Sequence, residues 1–153
     1  MDGKDRQAKR PSIVNRFNMN LTNQVLATKE NFVDFIKNYP SQKPLCMLNI
    51  LKFKDKTEDG RTGEEAYNTY GKEIAPLLEK AGGKVIWAGN VVKTIIGDYT
   101  TQPDRVFVVY YPSKEAFIEM STSKEYAAIG HHRHLSLEYG GLIATETIQG
   151  IQG

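Results

Sequence analysis

The spacing of apolar residues changes along the chain. It first becomes regular after a polar N-terminal segment. The first twelve residues are polar and mostly charged, and we predict that residues 1–27 form a flexible arm. Thr28 suits a helix N-cap, and Phe32 and Phe35 follow it at helical spacing. Residues 28–150 are therefore predicted to form one domain that begins with a helix.

A longer helix is predicted behind the first strand. Leu45–Phe53 is short and nearly all apolar, which is typical of a strand that is covered on both faces. Thr62 and Glu65 fit a capping box, and the glycine pair at 82–83 suits the end of a helix. One apolar stripe recurs between them at helical spacing: Ala66, Tyr67, Tyr70, Ile74, Leu77, Leu78 and Ala81.

The remaining chain is predicted to add three strands and two short helices. The strands are expected at Lys84–Ile96, Arg105–Tyr111 and Leu142–Ile148, and the helices after Ser113 and after Ser123. Gly89 and Asn90 indicate either a bulge in the first of these strands or a close approach of the backbone there. The order β-α-β-β-α-β is the split β-α-β, or ferredoxin-like, plan of an α+β protein, with both helices on one face of an antiparallel sheet.

The first strand also predicts an oligomeric state. Its side chains are apolar at both parities, with Leu48 and Ile50 on one and Met47 and Leu51 on the other. One layer of helices buries only one face of a sheet, so the other face needs a partner. A second copy of the chain is the simplest partner, and we predict a homodimer with its sheets face to face.

Composition narrows the function classes. At 153 residues the chain has the size of one domain, and a formal net charge of +2 gives no case for nucleic acid or a membrane surface. No apolar run is long enough to span a membrane, and the start of the chain has no secretory pattern, so a cytoplasmic location is expected. The single cysteine, Cys46, is expected to be a buried small hydrophobe.

Several segments occur in an order and at a spacing that one known family shares: Met47 to Phe53, Glu65-Ala66-Tyr67, Tyr70-Gly71, Gly82 to Trp87, Tyr111-Pro112-Ser113 and Tyr126 to Arg133. In these segments the chain resembles the uncharacterised family called domain of unknown function thirteen-thirty. The resemblance covers roughly residues 31–147 and implies a dimeric α+β barrel. It implies little about activity, since that superfamily includes cofactor-free monooxygenases, lactone isomerases and haem-binding enzymes.

Polar and aromatic residues among the apolar ones are the candidate ligand contacts. Asn49 shares strand parity with Met47 and Leu51 and is expected in the barrel interior, where its amide either bonds to a neighbouring strand or contacts a ligand. Arg133 is either a surface cation at a helix end or a clamp for a carboxylate, and the resemblance favours the pocket. Tyr67, Tyr70 and Trp87 are the expected aromatic walls, although such a stripe also suits a plain core.

All three histidines lie in one short segment that includes Arg133. His132 shares a helical face with apolar neighbours and is either a buried structural imidazole or a general acid or base. His131 and His134 lie at i and i+3, but the sequence offers no further cluster to complete a zinc site, and no metal is predicted.

These residues lead to three hypotheses. The first is a pocket for a small molecule, such as a carboxylate, with cofactor-free activity of the monooxygenase or isomerase kind and His132 moving a proton. The second is a non-catalytic ligand sensor or stress-related binding protein. The third is haem binding through a histidine, and no cofactor is expected under the first two.

Overall fold

The computed structural model describes residues 25–98 and 102–150 as eight helices and strands. They are α1 (Lys29–Asn38), β1 (Leu45–Phe53), α2 (Gly63–Lys80), β2 (Lys84–Asn90), β3 (Arg105–Tyr111), α3 (Lys114–Ser121), α4 (Lys124–Ser136) and β4 (Leu137–Thr145). The four strands form one antiparallel sheet in the order β2-β3-β1-β4. This is the predicted ferredoxin-like α+β arrangement, with α1 as the additional N-terminal helix.

Side-chain caps set where the helices begin. Thr28 Oγ1 accepts a hydrogen bond from the backbone N–H of Asn31 at the start of α1. Thr62 and Glu65 form the predicted capping box at the start of α2, at 3.1 and 3.0 Å. Helix α2 ends at Lys80, and Gly82 follows two residues later with a φ of +76°, a conformation that favours glycine.

The sheet buries one face against the helices. Two clusters of buried side chains fill this space: Val25, Leu51, Tyr67, Tyr70 and Leu137 in one, and Leu45, Met47, Val109, Tyr111 and Met120 in the other. Along β1 the buried positions alternate with partly exposed ones, so every second side chain of β1 points to the helices. Asn49 belongs to this buried set. It therefore faces the helix layer, and its predicted place between two sheets is wrong.

The described helices leave the opposite side of the sheet, which we call the open face, uncovered. Strand register places its apolar side chains together: Leu48 and Ile50 on β1, Trp87 on β2, Val106, Val108 and Tyr110 on β3, and Tyr139 and Ile143 on β4. The described residues cover none of these side chains fully, and Trp87 is 55% exposed.

The bulge in β2 lies earlier than the sequence predicted. The pairing with β3 jumps from Val85 opposite Val109 to Trp87 opposite Val108, so Ile86 is the extra residue, and the predicted place at Gly89 is wrong. A bulge reverses the alternation of side chains beyond it. Trp87 therefore lies on the open face, where its ring covers Gly89 and would be 2.8 Å from an added Cβ there.

Three predicted boundaries also change. Strand β2 ends at Asn90, whereas the sequence predicted Ile96, and β4 begins at Leu137, five residues before the predicted start. Glycine is uncommon in strands, so the pair at 140–141 hid the first part of β4 in the sequence pattern. In the structure these glycines pair with Leu51 and Ile50. At the N-terminal end, Val25 is only 7% exposed and packs in the core, so the domain begins before residue 28; residues 1–24 of the predicted arm lie outside the described residues.

Candidate functional site

A cavity of about 1610 Å³ lies between the sheet and the helices. Its walls come from α1, α2, α3 and α4 on one side and from the helix-facing side chains of all four strands on the other, and Val25 to Thr28 lie along its edge. Pockets of about 300–1,000 Å³ hold typical small ligands. The space is therefore ample for a small organic molecule.

Four tyrosines bring hydroxyl groups to this cavity. Tyr67 and Tyr70 lie one turn apart on α2, Tyr111 ends β3, and Tyr126 lies on α4. The hydroxyls of Tyr70 and Tyr126 are 3.3 Å apart, within hydrogen-bond distance. Burial raises the pKa of Tyr67 to about 12, and burial also raises the pKa of Tyr70 and of Tyr111. These three phenols are therefore neutral at physiological pH and can donate hydrogen bonds.

Arg133 supplies a cation from α4. Its Nη1 donates to the carbonyl of Val25 and its Nη2 to the carbonyl of Gly140, both at 3.1 Å. An added Cβ at Gly140 would be 3.1 Å from Nη1, so the absence of a side chain there makes room for the guanidinium. Arg133 also lowers the pKa of Tyr67, although burial outweighs it. Both acceptors are neutral carbonyls, and no carboxylate in the described part of the chain pairs with Arg133.

Asn49 is a buried amide in the middle of β1. Its side chain lines the cavity, and the residue is only 6% exposed. Its Nδ2 donates to the carbonyl of Met47 at 3.3 Å, while no described residue donates to its Oδ1. Among the described residues, Oε2 of Glu115 is the one fully enclosed side-chain nitrogen or oxygen without a hydrogen-bond partner, so Oδ1 of Asn49 keeps some accessible surface. This acceptor is therefore available to a molecule in the cavity.

The histidines divide differently from the prediction. His131 and His134 line the cavity, whereas His132 does not, and its predicted role in moving a proton there has no support from its position. The His132 ring packs against that of His131, with centroids 4.0 Å apart. Burial lowers the pKa of His134, and His131, Arg133 and Lys54 lower it further. Within residues 25–98 and 102–150, no three His, Cys, Asp or Glu side chains come together as they would around a metal ion.

The helical period of α4 explains why Arg133 and His134 line the cavity together with Tyr126, and it was available in the sequence. Tyr126, Gly130 and Arg133 lie at i, i+4 and i+7, so they share one face of a helix. His134 lies beside that face, and His132 points to the other side. Tyr126 and His134 are therefore site residues that the sequence analysis missed, and counting from Tyr126 could have found them.

Trp87 is the predicted aromatic wall that the structure does not bring to the cavity, because the bulge at Ile86 turns it to the open face. Asn49, Tyr67, Tyr70 and Arg133 do come together there. Whether these four contact a ligand stays a prediction.

Within the described residues, the charged side chains that line the cavity are all cationic. They are Lys29, Lys72, Arg105 and Arg133, and none of the described lining residues is Asp or Glu. Arg105 pairs with Glu64 at 3.2 Å, so its charge is compensated from outside the lining. The remaining lining is positive and mostly apolar, which suits an anion with an apolar body.

Comparison with known families agrees with this architecture. The model of the family described as domain of unknown function (DUF1330) matches residues 61–146. The chain belongs to the DUF1330 family. A crystal structure of a protein of unknown function from Rhodopseudomonas palustris is 34% identical to it, with a TM-score of 0.78; the match covers 83% of this chain and 98% of that one. A methylated form of the same protein gives 35% identity and a TM-score of 0.75, over 82% and 95% of the two chains.

Other similarities to this DUF1330 protein are more distant. A hydroxynitrile lyase from Passiflora edulis is 8% identical, with a TM-score of 0.53, over 72% of this chain and 99% of that one. At that identity the likeness shows the fold alone. A search of the curated proteins gives no match. None of the described helices is long and apolar enough to cross a membrane.

Proposed function

We propose that this DUF1330 protein binds a small organic molecule in the cavity between its sheet and its helices. The observation that carries the proposal is the convergence of buried polar groups on an otherwise apolar space. Asn49 has an amide oxygen without a described donor, Tyr67 has a neutral hydroxyl, and Arg133 has a charge without a described carboxylate. Apolar pockets with a few placed polar groups are the usual form of ligand sites.

A cavity-filling substitution tests this proposal. Gly71 lines the cavity on α2, and a Cβ added there meets no atom within 4 Å. Gly71→Leu should therefore occupy the cavity, and it should also favour the helix by roughly 1 kcal/mol. We expect phenol, benzoate, cyclohexanone or octanoate to bind the wild type in ligand-observed NMR and to lose binding in Gly71→Leu.

Ala128→Leu is the matched control, because Ala128 lies on an exposed part of the same helix layer and does not line the cavity. It should bind every probe as the wild type does. Binding that survives in Gly71→Leu, or a wild type that binds none of the four probes, contradicts the proposal.

We propose further that two copies pair through their open faces. Support comes from the apolar side chains gathered there, above all Leu48, Val108 and Ile143, which no described element covers. Light scattering at micromolar concentration should give the mass of a dimer, and Val108→Asp should give a monomer because it places two charges in an apolar interface. Lys124→Asp, at an exposed position, should remain a dimer. A monomeric wild type would contradict this proposal.

Catalysis without a cofactor is a second candidate, and the position of His134 favours it. This imidazole lines the cavity, and burial keeps its pKa below the usual value, so it is a neutral base at pH 7. If a probe acid or ketone exchanges its α-hydrogens with D₂O in the presence of the wild type, His134→Gln should abolish the exchange. Exchange that continues in that variant would exclude His134 as the base.

A further inference from the structure

We infer that the cavity selects an organic acid with a second polar group, holding the carboxylate at Arg133 and the second group at Asn49. This inference rests on the proposed function, because it names the class of molecule that the same cavity binds. Three observations carry it: the charge of the lining, the donors around Arg133 and the position of Asn49.

The charge of the lining favours an anion. Arg133 uses two of its five N–H groups on carbonyl oxygens and keeps three for other acceptors. A neutral ligand would leave this charge in a partly buried site without a carboxylate partner from the described residues. A ligand carboxylate supplies that partner, and Arg–carboxylate hydrogen bonds are among the stronger ones in proteins.

Tyr67 adds a second donor beside Arg133. Both side chains line the cavity, and the charge of Arg133 lowers the pKa that burial raises in Tyr67, so the two groups lie near each other. Because burial still keeps the phenol protonated, its O–H can donate to an anion. Arg133 and Tyr67 thus form a pair of donors that can hold one carboxylate.

Asn49 requires a different partner. It is more than nine-tenths buried, and its Oδ1 accepts no hydrogen bond from the described residues. Its neighbours across the sheet are Phe107 and Leu142, whose side chains offer no donor. A hydroxyl group on the ligand would satisfy this oxygen, whereas a hydrocarbon would leave it unpaired at a cost in free energy.

The strand register gives the spacing of the two groups. The carbonyl that accepts from Arg133 belongs to Gly140, which pairs with Leu51, and Asn49 lies two residues away on the same face of β1. Two residues along a strand span roughly 7 Å. The carboxylate and the hydroxyl should therefore lie at opposite ends of a small apolar body, such as a benzene ring.

The test uses three compounds that differ by one group each. They are 4-hydroxybenzoate, benzoate, which lacks the hydroxyl, and methyl 4-hydroxybenzoate, which lacks the charge. In calorimetric titrations we expect the wild type to bind 4-hydroxybenzoate about tenfold more tightly than benzoate, as one added hydrogen bond allows. The ester should bind more weakly than 4-hydroxybenzoate.

Two variants assign the two ends of the ligand. Asn49→Leu should weaken 4-hydroxybenzoate about tenfold more than benzoate, so that the two acids bind with similar affinity. Arg133→Met should weaken both acids more than the ester. Since Arg133 also ties Val25 to Gly140, circular dichroism must show that this variant is folded; if it is not, Tyr67→Phe takes its place and should also weaken both acids more than the ester.

The outcomes separate this inference from the proposed function. Equal affinities for 4-hydroxybenzoate and benzoate, an ester that binds as well as the acid, or no binding of any of the three would overturn the inference. The proposed function is decided independently by the phenol, cyclohexanone and octanoate arms and by Gly71→Leu. If the protein binds cyclohexanone in the cavity but shows no preference among the benzoates, the proposed function is supported and this inference is contradicted.

Discussion

The two faces of the sheet carry similar shares of apolar side chains, yet they have different surroundings. On the helix-facing side, Leu51 and Met47 are buried within the chain, next to the polar Asn49. On the open face, Leu48 and Ile50 alternate with them and remain partly exposed. Hydrophobicity alone therefore does not distinguish the two faces. The described helices do, because they pack on one side and enclose Asn49 there, which leaves Leu48 and Ile50 on the other side partly exposed.

The largest expected effect is on stability, from truncation of the helix-facing side. Leu51 is 0% exposed, and Leu51→Ala should lower the free energy of unfolding by about 2–5 kcal/mol, because it leaves a cavity in a packed cluster. Urea denaturation followed by circular dichroism measures this loss, which should not depend on protein concentration.

Leu48→Ala is the matched substitution on the open face. It should cost less within one copy, and the additional loss from contacts between copies should disappear on dilution to concentrations at which the proposed dimer separates. If both variants lose the same free energy at every concentration, the two faces are equivalent and the comparison fails.

An intermediate effect is expected from Trp87, which the sequence placed in the cavity and the structure places on the open face. Trp87→Ala should raise the dissociation constant of the dimer about tenfold, or about 1.4 kcal/mol. Affinity for 4-hydroxybenzoate should stay unchanged, because the residue does not line the cavity. Sedimentation equilibrium measures the dissociation constant, and calorimetry measures the affinity for the ligand. If the variant remains a dimer but no longer binds the ligand, Trp87 is part of the binding site and this assignment is wrong.

The smallest expected effect is the pH dependence that His134 gives to the helix-facing side. Its pKa in the folded protein is lowered, first by burial and then by His131, Arg133 and Lys54, so the unfolded chain binds the proton more readily. The stability is therefore fully present above about pH 6.5, the unfolded value, and is lost as the pH falls below it. The melting temperature should drop by a few degrees between pH 7.5 and pH 5.5, and by less in His134→Gln. A variant that drops as steeply as the wild type would contradict this assignment.

Local patterns were enough for the order of elements and for the two tyrosines of α2 that line the cavity. The capping box at Thr62 and the caps at Thr28, Ser113 and Ser123 depend on residues close in sequence, and each is present in the structure. Tyr67 and Tyr70 lie on one face of α2 for the same reason. These features follow from the chain because helical and strand periods are properties of neighbouring residues.

Contacts between residues far apart in sequence determined the orientation of β1 and the bulge in β2. Which parity of β1 meets the helices depends on where α2 and α4 pack, so Asn49 could not be assigned to the cavity from its own strand. The bulge at Ile86 depends on the register with β3, and it moved Trp87 to the other face.

The sequence by itself therefore determined the elements, the ferredoxin-like order and the apolar character of both faces. Only the tertiary structure decided which face encloses the cavity and which side chains share it. The physical reason is that the periodicity of a helix or strand depends on neighbouring residues. The residues that bury a given side chain are often distant in sequence, as in the contact between Arg133 and Val25.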